Sequence, residues 1–213
     1  ALPISVAKDI IIAIIDINDA APVFTSDATF SAAENQTAIG TVTATDPEGD
    51  SFSFSISGSE LSITPAGVLS FTSAPDYETK ASYTATVTVV DTEDNSATQD
   101  ITVNVTNVND NSPVFTSDTT FSAAENQTAI GTVTATDADG DDVTFTVSGA
   151  ELAITSDGVL NFASAPDYET KATYTATVTA SDGTNSTTQE ITVNVTNVND
   201  VAPEFTSEAT FSA

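Results

Sequence analysis

Apolar residues alternate with small polar ones through much of this chain. Ser51-Phe52-Ser53-Phe54-Ser55-Ile56-Ser57 puts an apolar side chain at every second position, and Ile101-Thr102-Val103-Asn104-Val105-Thr106 does the same. A period of two buries one face of a β-strand and leaves the other in water. Shorter runs near Phe24 and at Ile39–Ala44, Leu61–Ile63, Val68–Phe71 and Tyr83–Val89 predict further strands. Turn residues separate them at Pro47-Glu48-Gly49-Asp50, Ser57-Gly58 and Pro65-Ala66-Gly67.

The pattern then repeats. Phe30–Asp46 reads FSAAENQTAIGTVTATD, and Phe121–Asp137 reads identically. APDYETKA recurs at Ala74–Ala81 and Ala165–Ala172, and ITVNVTNVND at Ile101–Asp110 and Ile191–Asp200. A repeat of roughly ninety residues is too long for a solenoid turn and matches a tandem array of small domains. About seven short strands per repeat is the pattern of an immunoglobulin-like sandwich. Without a Cys–Trp–Cys core it is not a true immunoglobulin domain. The expected fold is all-β: two tandem seven-stranded sandwiches, with orphan strands at both ends.

Those ends follow from the repeat. Asp9–Asp19 aligns with Asp100–Asp110, so the chain opens on what reads as the last strand of a preceding repeat. Phe205–Ala213 copies Phe24–Ala32 and reads as the first strand of a following one. The expected division is 1–21, a last strand plus linker; 22–112 and 113–202, two whole repeats; and 203–213, a first strand. Ile10, Ile12 and Ile14 match the inward Ile101, Val103 and Val105, but Ile11, Ala13 and Ile15 make the opposite face apolar too. Such a strand is normally covered on both faces. It is either a central strand of an upstream domain or a donor strand for another subunit's sheet edge.

Charge narrows the function. Three lysines and no arginine face thirty-one acids, for a formal net charge of −28. Nucleic acid and anionic membranes need cationic side chains and are excluded as partners, and no spanning segment is present, so no membrane insertion is expected. Bound cations would relieve the self-repulsion of so acidic a fold. The chain has no Cys and no His, which removes thiol chemistry, Ser-His-Asp machinery and ordinary zinc sites.

The acids recur at fixed places. They are Glu34 and Glu125; Asp46 and Asp137, with Glu48 and Asp139 two positions on; Asp76 with Glu78, and Asp167 with Glu169; and Asp91 and Asp182. All fall at strand ends or in loops, and loops of a sandwich gather at its two poles. Between repeats runs Asn107-Val108-Asn109-Asp110-Asn111-Ser112-Pro113, echoed at Asp16–Pro22 and Asn197–Pro203. Carboxylates, amides and loop carbonyls together are the oxygen-rich set that Ca²⁺ takes, six to eight ligands at about 2.3–2.6 Å.

These motifs resemble tandem cadherin repeats. DINDAAPVF, NVNDNSPVF and NVNDVAPEF resemble the family's DxNDxxPxF linker, and AEN its xEN motif. DADGD resembles its DxD, PDYE its DRE-type motif, and the Asp91 and Asp182 loops its late DxG or DxD. The resemblance covers essentially the whole chain. It implies Greek-key sandwiches of cadherin type, a calcium-rigidified adhesion or spacer role, a secreted or cell-surface location and no catalysis. At the central junction it implies a calcium set of Glu34, Asp76, Glu78, Asn107, Asn109, Asp110, Asp137, Asp139 and Asp182, with the carbonyls of Val108 and Asn111. Asn107 departs from the family's Asp and removes a charge. Upstream, the implied half-site is Asp16, Asn18, Asp19, Asp46, Glu48 and Asp91, with Glu48 in place of Asp. Downstream it is Glu125, Asp167, Glu169, Asn197, Asn199 and Asp200.

The implied partners are neighbouring repeats or copies of the chain. Two other readings compete. A polysaccharide-binding module, taking surface glycans, would want an exposed aromatic platform, and the chain has no Trp and four Tyr. A filament subunit would join copies through the terminal strands. A glycosidase role for Asp76 and Glu78 fits poorly, because the two acids share one loop. The sequons at Asn35, Asn104 and Asn185 are expected by chance in so Asn- and Thr-rich a chain.

Overall fold

The computed structural model describes residues 17–204. The expected strands within 1–16 and 205–213, and with them Asp16, lie outside the described residues. The chain divides between Val108 and Asn109 into two compact units, each built the same way.

Among the described residues of the first unit nine strands follow in order. They are β1 (Val23–Phe24), β2 (Thr29–Ala33), β3 (Ala38–Thr41), β4 (Ala44–Thr45), β5 (Phe52–Ile56), β6 (Leu61–Ile63), β7 (Val68–Phe71), β8 (Ser82–Asp91) and β9 (Ser96–Thr106). A four-stranded sheet runs β2-β9-β8-β5, a three-stranded sheet β3-β7-β6, and β1 pairs with β4. The second unit repeats this as β10 (Val114–Phe115), β11 (Thr120–Ala124), β12 (Ala129–Thr132), β13 (Ala135–Thr136), β14 (Thr144–Val147), β15 (Leu152–Ile154), β16 (Val159–Phe162), β17 (Thr173–Ser181) and β18 (Ser186–Thr196). No described residue is helical.

The nine segments become seven strands when interrupted neighbours are joined. The first strand changes sheets part-way: Phe24 pairs with Ala44, and after a break Phe30 runs parallel to Val103. The run predicted as one strand at Ile39–Ala44 is broken at Val42-Thr43. There the Val42 N–H turns to the Gly67 carbonyl (2.9 Å) and the Thr43 carbonyl takes the N–H groups of Thr25 and Ser26 (2.8 and 3.3 Å). The segment β2 falls within the Phe24–Ala32 stretch that reads as a first strand, and its parallel pairing with β9 places it in the larger sheet.

Alternation converts directly into a core. Along β5, Phe54 is buried and Phe52 and Ile56 are half-buried, while Ser53 and Ser55 face water. Ile101, Val103 and Val105 of β9 meet Val87 and Val89 of β8 and Leu69 and Phe71 of β7. Strand β9 begins at Ser96, well before the apolar alternation, because its polar half pairs residue for residue with β8. Gly67 closes the β6–β7 turn at φ +87°, and a Cβ there would stand 2.2 Å from the Val42 carbonyl oxygen. Only glycine satisfies both conditions. Gly158 repeats this against Val133.

Candidate metal centre

Each unit gathers its acids at two ends. At the end where β9 leaves the first unit, Glu34 is 4% exposed. Its Oε2 accepts the Tyr77 N–H at 2.7 Å and its Oε1 the Val108 N–H at 2.8 Å. Asn35, next in sequence, takes φ 62°, a left-handed conformation that Asn tolerates better than most residues, and its N–H reaches the Pro75 carbonyl at 3.0 Å. AEN is thus a turn that sinks the glutamate and ties it to the PDYE loop. Glu125 repeats the arrangement, accepting the N–H groups of Tyr168 (2.8 Å) and Val198 (2.7 Å).

Around these buried glutamates further acids gather. In the second unit Glu125, Glu169 and Asp200 bring carboxylate oxygens within 4.8 Å of one another. Asn197 Nδ2 donates to Glu169 at 2.8 Å and Asn126 Nδ2 to Asp200 at 2.5 Å. In the first unit Glu34 and Glu78 approach within the same distance, and the exposed Asn107 and Val108 leave β9 beside them. Asp76 and Asp167 behave differently. Each folds back on its own turn, Asp76 accepting from Thr79 N (3.1 Å) and Oγ1 (2.9 Å) and Asp167 from Thr170 N (3.2 Å) and Oγ1 (2.8 Å). They stand outside the clustered carboxylates found among the described residues. Asn199 is exposed in the segment between Asn197 and Asp200.

The opposite end of each unit holds a second cluster. Asp46, Glu48 and Asp50 lie within 4.8 Å of one another in the first unit, and Asp137, Asp139 and Asp141 in the second. Asp46 Oδ1 accepts the N–H groups of Glu48 (2.9 Å) and Asp50 (3.1 Å), a side-chain turn that orients the carboxylate. Glu48 Oε2 receives the N–H groups of Asp19 (3.2 Å) and Ala20 (3.1 Å). Asp139 Oδ2 receives those of Asp110 (3.1 Å) and Asn111 (2.8 Å), and its Oδ1 the Asn111 side-chain amide (3.0 Å). The remaining oxygens, Asp46 Oδ2 and Asp137 Oδ2, are buried and have no hydrogen-bond partner.

A charged oxygen shut away from water and left unpaired is costly. In both units it sits in an acidic cluster fixed by backbone N–H groups. This is an environment that a cation completes, and carboxylate, amide and carbonyl donors suit Ca²⁺ better than a softer metal. The residues present fit the ion that the sequence motifs imply.

Two further aspartates complete this end. Burial alone would raise the pKa of Asp91. Against it, the Asn95 side chain, the N–H groups of Glu93 and Asn95, and the Asn18 side chain hold the carboxyl below its ordinary value of 3.8. Burial likewise opposes ionisation of Asp182, and the N–H groups of Asn185 and Thr184 with the Asn185 and Asn109 amides outweigh it. Both carboxyls are therefore ionised near neutral pH. Sequence reading missed Asn95 and Asn185, together with Asp50 and Asp141. The available signal was an asparagine three or four positions after the late aspartate in each repeat.

Two β-sandwiches in tandem, each with oxygen-rich clusters at its ends, define an immunoglobulin-like module of cadherin type. The chain belongs to the bacterial Ig domain family, which it matches twice, over residues 18–104 and 109–196. It is 31% identical over 237 residues to the protocadherin-like wing polarity protein stan of Drosophila melanogaster, covering 96% of this chain and 7% of that protein. It is 31% identical to human protocadherin-1, covering 99% of this chain and 22% of that one. The chain thus spans less than a quarter of either relative. In fold it is similar to mouse cadherin-23 EC22-24, with a TM-score of 0.75 at 22% identity, covering 89% of this chain and 71% of that one. The chain is thus a pair of cadherin-like tandem domains.

Proposed function

We propose that this chain is a calcium-dependent extracellular spacer or adhesion module of a repetitive surface protein, with the implied sets of Asp, Glu and Asn as its ligands. The observation that carries the reading is Asp137 Oδ2, buried without a partner beside Asp139 and Asp141, and repeated at Asp46 Oδ2. Bound Ca²⁺ supplies the positive charge that cancels carboxylate repulsion. The chain's own part is preorganisation. Asp46 and Asp137 are aimed by backbone N–H groups, Glu48 and Asp139 hold the preceding linker, and Glu34 and Glu125 hold the following one.

The mechanical role rests on the resemblance. With the ligand charges neutralised, the Asn107–Asn111 linker is a stiff connection; without the ion it is a hinge. Extracellular calcium modules bind at about 10⁻⁴–10⁻³ M, so the array is stiff outside a cell. The likeness to cadherins supports a secreted or cell-surface location. Among the described residues no helix is long and apolar enough to cross a membrane. Repeat boundaries at 22–112 and 113–202 belong to the same proposal, as do partners of the same kind, neighbouring repeats or further copies of the chain.

Calorimetric titration with Ca²⁺, paired with small-angle scattering in calcium and in chelator, tests the reading. Saturable binding and a maximum dimension that changes on chelation support it. Absence of binding heat at millimolar Ca²⁺ sinks the metal assignment, and an unchanged dimension sinks the mechanical one.

A further inference from the structure

Two asparagines outside the implied ligand set occupy the same position in both units. Asn95 Nδ2 lies 2.9 Å from Asp91 Oδ2, 3.1 Å from Asn18 Oδ1 and 3.3 Å from the Asn18 carbonyl oxygen. Asn185 Nδ2 lies 2.7 Å from Asn109 Oδ1, 3.0 Å from the Asn111 carbonyl oxygen and 3.4 Å from Asp182 Oδ2. Each nitrogen meets one carboxylate, one amide and one backbone oxygen. An amide NH₂ has two protons, so the third acceptor exceeds what it can bond.

The loops that deliver these amides are not copies. One reads Asp91-Thr92-Glu93-Asp94-Asn95, the other Asp182-Gly183-Thr184-Asn185, one residue shorter. A side chain without a role has no reason to return to the equivalent carboxylate and amide oxygens, Asp91 with Asn18 and Asp182 with Asn109, after such a change. Each loop accommodates it through a left-handed residue, Asp94 at φ 68° in one and Gly183 at φ 96° in the other. Two different backbones thus converge on one side-chain position.

The oxygens that converge are the carboxylate, amide and carbonyl mixture characteristic of a Ca²⁺ site. We propose that Asn95 and Asn185 are placeholder ligands: the NH₂ bridges these oxygens when no cation is bound, and the amide turns over to present Oδ1 when Ca²⁺ enters. This rests on the calcium reading above. Asparagine suits the task because one planar group carries both a donor and an acceptor. Lysine could only donate, and aspartate could only accept. The placeholder keeps the loop and linker assembled in the metal-free protein, where the bare oxygens would otherwise repel.

The test uses the intact chain, ¹⁵N-labelled, titrated with CaCl₂. The side-chain NH₂ resonances of Asn95 and Asn185 are expected to move in step with calcium occupancy as their hydrogen bonds are released. By calorimetry, Asn185→Ala is expected to weaken calcium binding in the second unit about tenfold, as loss of a supporting ligand does elsewhere. Asn185→Asp keeps the ligand oxygen but loses the bridge, so its melting temperature falls in chelator while its calcium affinity is retained or raised. If the wild-type chain binds calcium while both NH₂ signals stay fixed and both variants bind within about twofold of it, the placeholder role is overturned. A wild-type chain that binds no calcium overturns the metal reading and this inference with it; that titration separates the two failures. Should Asn185→Ala not fold, the wild-type NH₂ signals decide alone.

Discussion

Glu34 Oε1 accepts the backbone N–H of Val108 at 2.8 Å, across 74 residues of sequence. Its other oxygen takes the N–H of Tyr77, so one buried carboxylate fastens the end of the last strand to a loop from the middle of the repeat. A glutamate chosen only to bind an ion would need no such partners. Glu34 and Glu125 are structural bolts as well as candidate ligands, and the two roles use the same negative charge.

Replacing that charge exposes the bolt. In Glu34→Gln one oxygen becomes an NH₂ facing an N–H group, which removes a hydrogen bond to a charged group worth about 1.5–3 kcal/mol. Urea denaturation in chelator is expected to show the first unit destabilised by about that amount. Glu125→Gln should do the same to the second. A midpoint unchanged in chelator would mean that Glu34 matters only to metal binding.

Two glycines with nearly the same backbone separate conformation from crowding. Gly49 (φ +84°) has open space around its missing Cβ, whereas at Gly67 (φ +87°) the Cβ would meet the Val42 carbonyl at 2.2 Å. Gly49→Ala is expected to cost about 1 kcal/mol, the lower end for a left-handed non-glycine residue. Gly67→Ala must cost clearly more, because backbone has to move. Equal losses in denaturation midpoint would refute the close approach.

Acid should loosen the linker ends. Asp91 and Asp182 have folded pKa values depressed below 3.8. A depressed carboxylate adds stability that is present above its unfolded pKa and lost as pH falls through the folded one. Melting temperature measured in chelator is therefore expected to hold near neutrality and fall below about pH 4. Asp91→Asn and Asp182→Asn should flatten that part of the fall, since an amide has no proton to gain.

Calcium should raise the melting temperature. With dissociation constants of about 10⁻⁴–10⁻³ M, a few millimolar Ca²⁺ stabilises each site by roughly 1–2 kcal/mol. Mg²⁺ at equal concentration should do much less, because it demands a smaller octahedral site and keeps its waters. Differential scanning calorimetry in each ion checks this. Equal shifts for both would point to general screening of the acidic surface.

The sequence alone determined the fold class, because alternation at Ser51–Ser57 and Ile101–Thr106 depends only on the period of a strand. It also determined the repeat and the positions of the recurring acids, which are one-dimensional facts. Tertiary structure decided the rest. Strand β2 joins the larger sheet through its parallel pairing with β9, and the break at Val42-Thr43 exists because the Val42 N–H goes to Gly67 and the Thr43 carbonyl to Thr25 and Ser26. It also decided which acids cluster and which fold back on their own turns. Asp76 and Asp167 read as equals of Glu78 and Glu169, yet each spends its oxygens on a local threonine turn. Asn95 and Asn185 belonged to none of the calcium motifs, and only loops of different length folding to one point set them among the oxygens of Asp91 and Asp182. Periodicity is written along the chain; which donor reaches which oxygen depends on residues dozens of positions apart, and only the folded backbone brings them to 3.1 and 2.7 Å.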